Sequence, residues 1–140
     1  MKYISSVSLL LAMSTTLFGA PELPKHGVVM EVWENIKGGQ VADLVQTADK
    51  RGPNAVYIKG KIDEKAFGLD NFGARFSALL TAPETGEYTF YLAADDTAEL
   101  LLSTGADAVN LKKVCELRRY TKLGNKAGTE GKVYQTGGLM

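Results

Sequence analysis

The chain has 140 residues, of which 16 are basic and 16 acidic, and this balance lacks the positive excess typical of nucleic-acid-binding proteins. The length is that of one domain with a single core. One histidine and one cysteine are too few for a structural zinc site. The totals therefore predict one domain that binds no nucleic acid.

The first twenty residues have the composition of a secretory signal peptide. Lys2 precedes an uncharged run over residues 4–18, and the small residues Gly19 and Ala20 follow it. The run is shorter than the ~20 residues that span a bilayer. We therefore predict a signal peptide over residues 1–20, a secreted or cell-envelope protein of the periplasm or outer surface, and no membrane span once the leader is cleaved.

From residue 27 onward the apolar residues alternate with a period of two, which is typical of half-buried strands. In the first such segment Val28, Met30 and Val32 share one face. Turn residues separate the segments, and short strands at this spacing favour an antiparallel sandwich or barrel. Strands are predicted over residues 27–34, 55–62, 74–80, 88–93, 98–103, 111–117 and 132–136.

One segment has helical spacing instead. Val41, Leu44 and Val45 recur at i, i+3 and i+4, which predicts a short helical turn. We interpret this turn as a cover over a loop rather than as part of the core.

The single cysteine, Cys115, lies among apolar residues of a predicted strand. It has no partner for an internal disulfide, and we interpret it as a buried thiol. An intermolecular disulfide is the alternative.

The sequence offers little material for catalysis. His26 is the only histidine and follows the predicted leader closely, and no nucleophile-elbow motif is present. A glycosidase needs two carboxylates roughly 5 to 9 Å apart across the sugar. Asp95 and Asp96 are neighbours, and neighbours in an ordinary extended chain point to opposite faces, so they are poorly placed for that work. We predict that the protein is not an enzyme.

The pair Asp95 and Asp96 nevertheless needs an explanation, because two like charges stand side by side between two predicted strands. Aspartate is common in turns, where its side chain bonds nearby backbone amides, so a solvated hairpin is one interpretation. A calcium site is the other, because Ca²⁺ takes roughly six to eight oxygen ligands, many of them carboxylates. The residue types alone leave both open.

The run DNFGARFSALLTAPETGEYTFYLAADDTAELLLSTG, residues 70–105, resembles the PA-fourteen domain, a β-sandwich module of toxin protective antigen, flocculin-type adhesins and bacterial glycosidases. The shared features are the TAPxTGxYTF phrase, the Asp-Asp step and a following strand of the type xLxLS. The resemblance implies an all-β, jelly-roll-like antiparallel sandwich over residues 27–136. It also implies a non-catalytic, carbohydrate-binding module.

In adhesin members of this family, the resemblance implies, the two adjacent aspartates are joined by a cis peptide and hold one Ca²⁺ that bridges to sugar hydroxyls. Asp95 and Asp96 are accordingly the expected metal and carbohydrate ligands, with Ca²⁺ as cofactor and a glycan or glycoconjugate as partner. Among the aromatic residues only Phe72, expected in a loop, is a candidate for stacking on a sugar.

The sequence departs from the family pattern near its end, where EGKVYQTGGLM stands in place of a longer loop and the closing strands. Two interpretations are a truncated reading frame and a partner that donates the missing strand. Two alternatives to sugar binding also stay open: a structural or protein-interaction module without sugar binding, and a truncated accessory domain of a larger hydrolase.

Overall fold

The computed structural model describes residues 26–62, 69–103, 108, 110–121, 130–135 and 138–139, with only the backbone course for the last two ranges. The predicted signal peptide over residues 1–20 lies outside the described residues.

The described chain forms an all-β sandwich with antiparallel strand pairing and one short helix. The elements in chain order are β1 Val28–Trp33, α1 Val41–Lys50, β2 Ala55–Lys59, β3 Gly73–Ser77, β4 Thr81–Ala82, β5 Gly86–Tyr91, β6 Ala98–Leu102, β7 Lys112–Leu117, β8 Glu130–Gln135 and β9 Gly138–Leu139. The expected all-β sandwich is thus confirmed, and the expected strand over residues 132–136 corresponds to β8. The short strands β4 and β9 were not predicted.

Strand pairing joins segments that are distant in sequence. β1 is the central strand of a three-stranded sheet in the order β2-β1-β3, and β5 pairs with β8, β6 with β7 and β4 with β9. The β6–β7 register shifts between Leu100 and Leu101. β8 follows β5 by some forty residues and still pairs with it, antiparallel, from Gly86 opposite Gln135 to Tyr91 opposite Glu130.

The main core is the apolar face that the period-two pattern predicted. One face of β1 packs into the main buried cluster through Val28, Met30 and Val32. Residues of β3, β5, β6 and β7 form the rest of this cluster. Cys115 is among its members, a free and buried thiol as expected. Burial raises the pKa of this thiol to about 11, so it is protonated at neutral pH.

The opposite face of β1 is also buried, because α1 and the loop before it cover one end of it. Trp33, Ile36 and Leu44 form a second buried cluster, against which Ala48 packs. The indole Nε1 of Trp33 donates a hydrogen bond to the Arg51 carbonyl, 3.1 Å away. The helical segment therefore contributes a small core of its own, and its interpretation as mere cover was wrong about Leu44.

An ion pair occupies the centre of the same face. Glu31 on β1 is only 4% exposed, and both of its carboxylate oxygens accept hydrogen bonds from Arg75 on β3, at 2.6 and 2.7 Å. The guanidinium carbon of Arg75 lies 5.1 Å from the centroid of the Trp33 ring. Glu31 and Arg75 are directly opposite in the β1–β3 register, so the strand pairing itself sets this contact.

Candidate functional site

The two adjacent aspartates lie where the chain passes from β5 to β6. Leu92 and Ala93 after β5 are buried, and Ala98 at the start of β6 is buried, whereas Asp95 and Asp96 are exposed. The peptide bond between the two aspartates is cis, as the resemblance implied. The two aspartates thus form a short exposed turn between buried residues just after β5 and at the start of β6.

The two carboxyl groups lie near each other across the cis peptide, not on opposite faces as ordinary extended geometry predicted. The pKa of Asp95 is raised, first because its carboxyl is partly removed from water, then by the hydrogen bond and negative charge of Asp96. In the part of the chain that the structure describes, no basic side chain forms an ion pair with either residue. The site therefore holds concentrated negative charge that no described cation balances.

The backbone on the N-terminal side of the step is tied to a neighbouring segment. The Thr121 amide donates to the Ala94 carbonyl at 2.9 Å, and the Ala94 amide donates to the Thr121 hydroxyl at 3.4 Å. These two bonds hold the residue directly before Asp95.

The C-terminal side is tied to a different part of the chain. The Thr97 hydroxyl donates a hydrogen bond to the Gly39 carbonyl at 2.8 Å, although 58 residues separate the two. Gly39 belongs to the loop that leads into α1, and this loop forms a wall beside Asp96. A Cβ atom built on Gly39 would lie 2.7 Å from Oδ2 of Asp96, closer than real Cβ contacts allow.

The start of α1 fixes the shape of that loop. The Gln40 amide donates to the Asp43 carboxylate at 2.9 Å, so Asp43 in the first helical turn caps the helix N-terminus. Gly38 has a φ of 111° and lies against the same carboxylate, where a Cβ atom would collide with it. The capped helix therefore holds Gly38 and Gly39 in one defined course.

The donor chemistry of the site suits a hard cation only in part. Two carboxylates supply oxygen ligands of the kind that Ca²⁺ prefers. No group of three or more His, Cys, Asp and Glu side chains could hold a metal among the residues that the structure describes. Within the described residues, further ligands of a bound calcium would be backbone carbonyls, side-chain amides or hydroxyls, or waters.

Two other expected positions are accounted for by the structure. Phe72 is half-buried and packs against the main core, so it is placed as a packing residue rather than as an exposed platform for a sugar. His26 is exposed near the start of the domain.

Sequence reasoning found the two acids and missed the residues that hold them. Gly39, Thr97 and Thr121 carry no motif of their own, and the first two meet only in the folded chain. The one local signal was the Gly-Gly pair before the helical spacing, which marks a turn without indicating what the turn contacts.

The model of the PA14 domain family matches residues 24–135. The chain therefore belongs to this family, whose members include carbohydrate-binding adhesins and whose domains are generally non-catalytic binding modules.

Among characterised proteins, the chain is similar to fibrocystin of the dog Canis lupus familiaris, with 33% identity over 107 residues. The match covers 71% of this chain and 2% of fibrocystin, so the chain spans only a small part of that relative's length. No solved structure matches the chain significantly. Within the described residues, the structure has no helix with the length and apolar character required to cross a membrane.

Proposed function

We propose that this PA14 domain is an exported, non-catalytic module that binds carbohydrate through a calcium ion held by Asp95 and Asp96. The observation that carries the proposal is the placement of the two carboxyl groups, which are exposed, adjacent and without a described cationic partner. Family membership supports the carbohydrate, and the leader-like composition of residues 1–20 supports export.

The proposed chemistry follows from the charge arrangement. Two neighbouring carboxylates repel each other. A divalent cation bound between them attracts both, and this attraction outweighs the repulsion. Ca²⁺ accepts a variable set of oxygen ligands, so vicinal hydroxyls of a sugar can replace waters in its shell. Asp95 and Asp96 would then bind the ion, and the ion would orient the sugar.

Two measurements on the mature chain test this function. Isothermal titration with CaCl₂ is expected to show one site in wild type and none in the Asp95→Asn/Asp96→Asn variant. The matched control is Asp49→Asn, which changes an exposed acid on α1 that has no described role.

A glycan array probed with and without calcium supplies the second measurement. Calcium-dependent signals that the double variant loses are the expected result. Calcium binding without any glycan signal would favour a structural or protein-interaction module. If the wild-type protein binds no calcium, the proposed mechanism is wrong.

A further inference from the structure

We propose that Gly39 is a positioning residue of the calcium site, and that Thr97 holds it in place. This inference rests on the proposed function, because it concerns the affinity of the Asp95–Asp96 pair for calcium. Neither residue is itself required to bind the ion.

The argument begins with the close approach of Gly39 to Asp96. Because Gly39 has no side chain, the Asp96 carboxylate can lie against its backbone, and an added Cβ would come within 2.7 Å of Oδ2 and within 3.4 Å of the carboxyl carbon. Something must then shift, and the Asp96 carboxylate is the group in the way. A metal site depends on the positions of its carboxylates to within a fraction of an ångström.

The second step is that two hydrogen bonds restrain the loop that contains Gly39 from moving away from Asp96. The Thr97 hydroxyl bonds the Gly39 carbonyl, and Asp43 bonds the amide of the next residue, Gln40. Gly39 is therefore held between the capped helix and Thr97, the residue directly before β6. An added methyl group is expected to displace Asp96 rather than the loop.

The third step concerns Thr97, which directly follows Asp96 in the chain. Its hydroxyl bonds the Gly39 carbonyl and so ties the loop before α1 to the residue that follows Asp96. Removing the hydroxyl breaks this bond without adding volume. Loss of groups that orient metal ligands commonly costs about 10–100-fold in metal affinity. Gly39→Ala and Thr97→Val should thus weaken calcium binding in the same direction by different routes.

The experiment compares calcium affinity by isothermal titration with thermal stability in calcium-depleted buffer. Gly39→Ala and Thr97→Val are each expected to weaken calcium binding about tenfold or more. Thr97→Ser, which keeps the hydroxyl, is expected to retain wild-type affinity. Gly60→Ala is the matched glycine control, because Gly60 is exposed and an added Cβ there meets nothing within 4 Å.

The outcomes separate the inference from the function beneath it. If wild type binds calcium and both Gly39→Ala and Thr97→Val bind it equally well, the positioning role is overturned while the proposed function stands. If wild type binds no calcium, both the positioning role and the proposed function are overturned. Should Gly39→Ala fail to fold, the Thr97→Val and Thr97→Ser pair decides, and equal affinities in that pair overturn the inference.

Discussion

Two regions of the molecule place acids in opposite circumstances. On the outer face of β1, Glu31 is buried, and Arg75 pairs both of its oxygens. Between β5 and β6, Asp95 and Asp96 are exposed, alike in charge and without a described cation. The first arrangement is complete within the fold. The second carries negative charge that no cation among the described residues balances, which is the physical reason to test it for a bound cation.

A third cluster shows that the fold can neutralise like charges when it brings them together. Glu99 and Glu116 face each other across the β6–β7 pair, and Lys113 forms an ion pair with both. Hydrogen bonds from Lys113 and then Arg118 lower the pKa of Glu116, whereas partial removal from water and then the neighbouring Asp96 raise the pKa of Asp95. Lys113 thus balances the charge of the surface cluster, and no cation among the described residues does so for the aspartate pair.

The largest expected effect is the loss of the buried cation. Arg75→Met leaves the Glu31 carboxylate buried without its partner, and we expect a loss of about 3–5 kcal/mol in the free energy of unfolding. Urea denaturation measures it. The exposed Lys113→Met change is the control, with a much smaller expected loss because solvent screens exposed ion pairs. Equal losses in the two variants would contradict the distinction between buried and exposed pairs.

Substitution in the Asp95–Asp96 pair is expected to leave the calcium-free protein at least as stable, in contrast to the loss of Arg75. In calcium-depleted buffer, Asp95→Asn should be at least as stable as wild type, because it removes a like-charge repulsion. At a calcium concentration one hundred times the dissociation constant, wild type should gain about 2.7 kcal/mol and Asp95→Asn essentially nothing. Thermal unfolding with and without calcium measures both. A large loss of stability in the depleted buffer would show that Asp95 serves the fold instead.

A smaller effect is expected at the helix that holds the loop wall. Asp43→Ala removes the acceptor of the Gln40 amide at the start of α1, and loss of such a cap costs about 1 kcal/mol. Asp49→Ala is the control, because that acid lies near the C-terminal end of the helix, where the helix dipole disfavours negative charge. If Asp43→Ala and Asp49→Ala unfold at the same urea concentration, the cap contributes nothing.

The smallest expected effect is a pH dependence of the calcium-free protein. The pKa of Asp95 is raised in the folded state, so the folded state binds its proton more tightly than the unfolded chain does. This contribution is fully present below the ordinary carboxyl pKa of about 4 and is lost as the pH rises through the raised pKa. As the pH rises across that window in calcium-depleted buffer, the free energy of unfolding of wild type, measured by urea denaturation, should therefore fall relative to that of Asp95→Asn. A constant difference between the two proteins across the window would remove Asp95 as the source.

Local pattern in the sequence predicted the strands because alternation of apolar side chains is a property of neighbours. Val28, Met30 and Val32 were placed on one face from spacing alone, and they enter the main core. The same reasoning could not assign partners, since pairing of β5 with β8 joins segments some forty residues apart. It also underestimated the helical segment, because spacing showed an apolar stripe around Leu44 but not the Trp33 side chain that covers it.

The sequence by itself determined the fold class, the family and the presence of two adjacent acids, since all three are written in runs of consecutive residues. Only the tertiary structure decided that Arg75 rather than water neutralises Glu31, and that Gly39 lies against Asp96. The physical reason is that charge balance and close contact depend on distance in space. Chain folding sets that distance by packing the loop before α1 against the turn between β5 and β6.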